Sequence, residues 1–146
     1  MRWSLEAYEE FVYQIHRLSP FLLYSTLVLK RREKLAAILS GEVAFANDLK
    51  LSVYERLNFS SPETGFIWDY GYEVKVGDAV QYWYDSQPHP NDPTLQITHP
   101  QHKHIPPDIK HHRIPAAGFS FHQPNLPFLI EEIDALFFTK PGVPLE

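Results

Sequence analysis

The sequence contains no cysteine, which excludes disulfides and thiolate metal sites and agrees with a reducing, cytoplasmic setting. It contains no run near eighteen apolar residues, so no helix is expected to span a membrane. The start, Met1-Arg2-Trp3-Ser4-Leu5-Glu6, lacks the apolar stretch of a signal peptide. There is no surplus of positive charge: the formal net charge is -5 with histidines neutral. A chain that held nucleic acid by its overall field would be basic, so any polyanion contact must be local. Internal repeats and low-complexity tracts are also missing. What is present is apolar and aromatic material, 44% and 14% of the 146 residues, enough to exclude a disordered chain and to build one core. We read residues 1–146 as one domain.

Ser4 to Leu18 has helical spacing, with Leu5, Tyr8, Phe11/Val12 and Ile15 on one stripe and Ser4 placed to cap it. Phe21 to Arg32 reads as one strand. Glu33 to Ala46 is ambiguous: Lys34 to Leu39 suits a helix by propensity, while Gly41 to Phe45 suits a strand. Asn47-Asp48 signals a turn. Leu49 to Asn58 and Phe66 to Val76 alternate as strands, Gly77-Asp78 marks a tight turn, and Val80 to Asp85 continues the pattern. Asn125 to Phe138 is helical again. The expected fold is α+β: an antiparallel meander of about five strands, with N-terminal and C-terminal helices packed on it. Glu55 interrupts an apolar face, so it is expected to point inward and to pair with a cation or a histidine.

Nine of the 13 prolines and seven of the eight histidines fall between His89 and Pro127 or at Pro88. That density excludes a long helix or a central strand, and it marks 88–124 as a functional loop region. Histidine titrates near neutral pH and ligates metals. In extended backbone, His102 and His104 share a face, roughly 6.6 Å apart, and Lys103 points away unless the chain bends. Two imidazoles and a cation suit metal-independent cleavage of RNA. One ring takes the 2′-hydroxyl proton, the other protonates the leaving oxygen, and Lys103 holds the phosphorane charge. His99, His102 and His104 suit a zinc or nickel ion equally well. A polar loop whose histidines do no chemistry is the third reading, and residue types alone leave all three standing. Asp85 is a candidate to orient an imidazole, or else a plain turn former. His89 sits between two prolines. The aromatic residues of the central strands can stack bases or fill a core.

Glu55-Arg56-Leu57, Asp69-Tyr70-Gly71-Tyr72, Tyr84-Asp85, Pro88-His89 and His102-Lys103-His104 stand in an order that resembles the TumE-type toxins of bacterial toxin–antitoxin pairs. The resemblance covers roughly Leu49 to His104. Ser86 stands where the family usually has asparagine, and Gln101 precedes the last motif where an acidic residue or histidine is common. The resemblance implies a small cytosolic toxin acting on RNA and neutralised by a cognate antitoxin; the oligomeric state, a homodimer included, is left open by the sequence. It carries His102, Lys103, His104 and Asp85 as catalytic candidates and Tyr84, His89, Glu55 and Arg56 as substrate-binding ones. Asp85 and one motif histidine are expected within hydrogen-bond reach, with His89 on the rim. Both histidines are expected in a loop outside the core.

Overall fold

The computed structural model describes residues 2–87, 91–98, 100–116 and 118–138. Helix α1 spans Leu5–Tyr13, and Ser4 caps it by accepting the Ala7 N–H at 3.1 Å. A single 3-10 turn, Ile15–Leu18, completes the expected helical stretch. Eight strands follow, where about five were expected: β1 Leu22–Ser25, β2 Val28–Arg31, β3 Ala36–Phe45, β4 Leu49–Asn58, β5 Ile67–Val76, β6 Ala79–Asp85, β7 His102–His104 and β8 Arg113–Pro115. Helix α2, Leu126–Ile133, runs on into a π turn at Asp134–Phe138.

Three differences account for the extra strands. Phe21 to Arg32 is two strands rather than one, and both pair antiparallel with β3 along the same edge. The chain crosses between them at Thr26, whose carbonyl lies 2.6 Å from where a Cβ on Gly41 would stand. Gly41, at φ +137, is therefore required in β3, and it lets the Thr26 N–H reach the Glu42 carbonyl at 2.8 Å. The ambiguous Glu33–Ala46 stretch resolves as strand from Ala36 to Phe45, because pairing with β4 and burial of Leu39 and Val43 in the core override local helix propensity. Two three-residue strands form inside the proline-rich segment. Proline excludes a long strand but not a three-residue one: β7 contains no proline and β8 carries Pro115 only as its last residue, so β7 lies between β6 and β8 in the sheet.

The meander from β3 to β6 follows the alternation except at two register shifts: one opposite Arg56/Leu57, which buries Ile67 and exposes Trp68, and one at Val74/Lys75. Asn47 and Asp48 both take positive φ, 63 and 61, as a tight hairpin turn demands. The sheet order is β1-β3-β4-β5-β6-β7-β8, all antiparallel. One face carries Leu39, Leu51, Val53, Leu57, Tyr70, Tyr72 and Val74, all buried in one core with Leu5, Tyr8 and Val12 of α1 and Leu129, Ile130 and Ile133 of α2. We call this the covered face. The opposite face carries Ser52, Tyr54, Arg56, Asp69, Gly71, Glu73, Trp83 and Asp85, none of them buried. Among the described residues no helix is long and apolar enough to cross a membrane.

Candidate functional site: an aspartate and two imidazoles on the open face

Cross-strand pairing decides which side chains meet. His102 stands opposite Asp85 and His104 opposite Trp83, so these four share the open face. The Nε2 of His102 lies 2.8 Å from Oδ1 of Asp85, and the Nε2 of His104 lies 3.3 Å from Oδ2. The two Nε2 atoms are 3.0 Å apart. Each Nδ1 faces a backbone carbonyl, that of Pro100 at 3.1 Å for His102 and that of Ile109 at 2.8 Å for His104. A carbonyl only accepts, so each ring carries its proton on Nδ1 and presents Nε2 to the centre. The carboxylate is held from its other side. The Gln87 N–H donates to Oδ1 at 3.0 Å and the Trp83 indole N–H to Oδ2 at 3.2 Å. Trp83 also stacks on His104, with centroids 4.3 Å apart.

This set of contacts has an electrostatic consequence. With both Nδ1 positions protonated, two ring lone pairs and a carboxylate converge. Three acceptors cannot sit at these distances without a cation among them, either a shared proton or a metal ion. Burial opposes the charge on Asp85, yet the hydrogen bond to His102, the positive charge that the shared proton brings to the imidazole pair, and the Gln87 N–H together hold the carboxyl below its ordinary range. Burial pushes the His104 imidazole below the ordinary histidine value, against the pull of the Ile109 carbonyl and of Asp85.

The histidines are not in a loop outside the core, as expected from the prolines. Both are in β7, and they are 1% and 5% exposed, while the Asp85 side chain is 25% exposed. Strand pairing on both sides, and the carbonyls of Pro100 and Ile109, enclose the rings. Asp85 therefore forms the accessible lip of the centre. Beside it lies a groove of about 390 Å3 lined by Ser52, Tyr54, Gly71, Glu73, Trp83 and Asp85. A side chain on Gly71 would meet nothing within 4 Å, so the groove is open above that residue. A larger cleft of about 600 Å3, between Trp3, Leu35, Phe59 and His122, holds none of the three centre residues.

The remaining candidates separate by face. Lys103 points to the covered face, as the strand alternation requires. There its Nζ lies 3.3 Å from Glu132 of α2 and over the rings of Tyr82 and Tyr84, at 4.1 and 5.1 Å. It does not join the two imidazoles, because β7 has no bend. Tyr84 also faces the helix, donating to both oxygens of Glu132 at 2.9 and 2.7 Å, so it is not available to a substrate on the open face. Glu55 is fully buried beneath α1 and is likewise out of a substrate's reach. It points inward as expected, but its partners are not a cation or a histidine. They are the hydroxyls of Tyr8 and Tyr72, both donating to it, with Asn125 donating to the Tyr72 hydroxyl at 3.2 Å. Neutral donors suffice because burial pushes the Glu55 carboxyl up to about 7, despite the opposing effect of the two hydroxyls. Arg56 lies on the open face, paired with Asp69 at 2.7 Å and 5.5 Å from the Trp68 ring. His89 and His99 lie outside the described residues. His111 is exposed against Asp108, and His112 and His122 face backbone carbonyls of Pro106 and Glu63.

The proximity of Asp85 to both imidazoles, in the segment joining the family's spaced motifs, invites comparison with known proteins. A family model described as Toxin TumE matches residues 11–137. The chain belongs to the TumE toxin family. Neither a curated protein nor a solved structure matches it. The TumE match runs from α1 through the π turn after α2 and so includes every residue of the centre.

Sequence reasoning missed three residues of this site. Trp83 was legible only as one aromatic among many. Arg113, opposite His104 on β8, shares its face and adds positive field there. The Gln87 N–H is a backbone contact with no side-chain signal. Ser86, the departure from the family's asparagine, accepts the Tyr70 N–H at 3.0 Å and so ties the end of β6 to β5.

Proposed function

We propose that this TumE-family protein is the toxin of a toxin–antitoxin pair and that it cleaves RNA, without a metal, at the Asp85–His102–His104 centre. The observation that carries this reading is the convergence of the two Nε2 atoms and the Asp85 carboxylate at 2.8–3.3 Å beside an open groove. A proton shared among three acceptors places an acid next to a base, which is what transesterification of RNA uses. One imidazole accepts the proton of the 2′-hydroxyl as its oxygen attacks the adjacent phosphorus. The other imidazole delivers its proton to the 5′-oxygen as the P–O5′ bond breaks, leaving a 2′,3′-cyclic phosphate. Asp85 fixes the rings and stabilises the imidazolium. Lys103 takes no part. Arg113 brings positive charge to the face where the phosphorane forms. Tyr54 and Trp83 flank the groove and offer ring faces to bases.

The partner is an antitoxin protein that neutralises this activity. Expression alone should arrest growth, and co-expression with the neighbouring gene should relieve the arrest. Asp85→Asn, at the accessible lip, should abolish the arrest while leaving the thermal melt near that of the parent. Purified protein with EDTA should convert RNA to fragments ending in 2′,3′-cyclic phosphate. Full toxicity of a folded Asp85→Asn protein would remove the centre from the mechanism.

A further inference from the structure

The centre has the ligand set and the supporting contacts of a divalent-metal site, and the proton of the catalytic reading is not the only cation that satisfies it. Two imidazoles and a carboxylate are zinc ligands in their own right, and the three residues bring one ligand atom each to within 4.8 Å of one another. The ring orientation agrees. A histidine that ligates through Nε2 commonly donates its Nδ1–H to a carbonyl, which sharpens the ligand's aim. Both rings here do so, to Pro100 and Ile109. The carboxylate has the corresponding support from Trp83 and Gln87. Tetrahedral zinc with bonds of about 2.05 Å sets its nitrogen ligands about 3.3 Å apart. The two Nε2 atoms stand at 3.0 Å, so a separation of a few tenths of an ångström admits the ion. Solvent reaches the centre past Asp85, which leaves room on that side for a further ligand. Among the described residues, exposed His111 and His112 belong to no comparable group of three ligands.

We propose that Asp85, His102 and His104 bind one zinc ion, which displaces the shared proton and switches the toxin off. The silencing half of this inference rests on the acid–base reading above; the binding half does not. With zinc bound, both Nε2 lone pairs are engaged, and neither ring can accept or deliver a proton.

The test uses full-length protein stripped with EDTA and then freed of chelator. Calorimetric titration with zinc chloride should give one ion per chain. Cobalt(II) in place of zinc should give a visible absorption band of a low-coordinate nitrogen–oxygen site. Asp85→Asn loses a direct ligand and should weaken zinc by about tenfold or more, at least the cost of removing an outer-shell partner. The His111→Ala, His112→Ala double variant should bind as the parent does. Because His102→Ala removes a buried ring, its binding is read only beside a melt, and Asp85→Asn carries the decision. Absence of binding, or binding unchanged in Asp85→Asn, would overturn the site. Zinc bound at one equivalent with RNA cleavage undiminished would overturn the switch. Zinc binding in a protein that cleaves no RNA when metal-free would uphold the site and remove the ribonuclease reading.

Discussion

The behaviour of single residues here follows from which face of the sheet they occupy. Glu55 shows this most clearly. Its carboxyl titrates at about 7 in the folded protein, against an ordinary value of 4.5. The folded state therefore holds the proton more tightly than the unfolded chain. Stability should be greatest below about pH 4.5, fall as pH rises from there to about 7, and level off above it. The full change is on the order of 3 kcal/mol by the shift in proton affinity. Glu55→Gln cannot ionise and should lack this slope. Urea unfolding of both proteins at pH 5 and pH 8 measures it, and a slope that survives in the variant would assign it to another group. The acid limb belongs to other carboxylates, so the comparison between the two proteins is what counts.

At the level of elements, Lys103 ties β7 to α2. The pair with Glu132 is largely buried, at 16% and 18% side-chain exposure, and Tyr84 shares the same carboxylate. Lys103→Met should cost about 3 kcal/mol, because it strands a buried carboxylate, and the Lys103→Met, Glu132→Gln double variant should recover most of that loss. Growth arrest by whichever of these remains folded should match the parent. Loss of toxicity in a fully folded Lys103→Met protein would return the lysine to the chemistry. Gly41 performs a comparable task for β1 and β2. A methyl group there collides with the backbone of Thr26, which cannot yield as a flexible side chain would. Gly41→Ala should lower stability by about 2 kcal/mol or more, read as a drop in melting temperature.

On the scale of the whole molecule, one sheet separates two jobs. The covered face holds the apolar core and the buried polar ties Tyr8–Glu55–Tyr72 and Tyr84–Glu132–Lys103. The open face holds the centre and its groove. Substitutions on the two faces should therefore fail differently. Tyr54→Ser, at an exposed groove position, should reduce growth arrest with a change in stability within about 0.5 kcal/mol. Tyr72→Phe, which removes a donor to buried Glu55, should lower stability measurably. Equal effects of both on the melt would contradict the division.

The sequence by itself determined the strands from Leu49 to Asn58, from Ile67 to Val76 and on to Asp85, because alternation over most of each admits only strands with one buried face, and the turn residues fix where they reverse. It also determined that His102 and His104 share a side, with Lys103 on the other, if that backbone is extended; pairing with β6 and β8 is what makes it a strand. Tertiary structure decided the rest. Ala36 to Leu39 became strand because β2 and β4 flank it, which no local propensity records. Glu55 was legible as inward-facing, but its phenol partners come from a helix 47 residues earlier and a strand 17 residues later. Asp85 meets both imidazoles because β7 pairs with β6 in a register that sets Asp85 against His102. The intervening segment carries no periodicity from which that register could be read, so only the folded sheet brings these three side chains to one point.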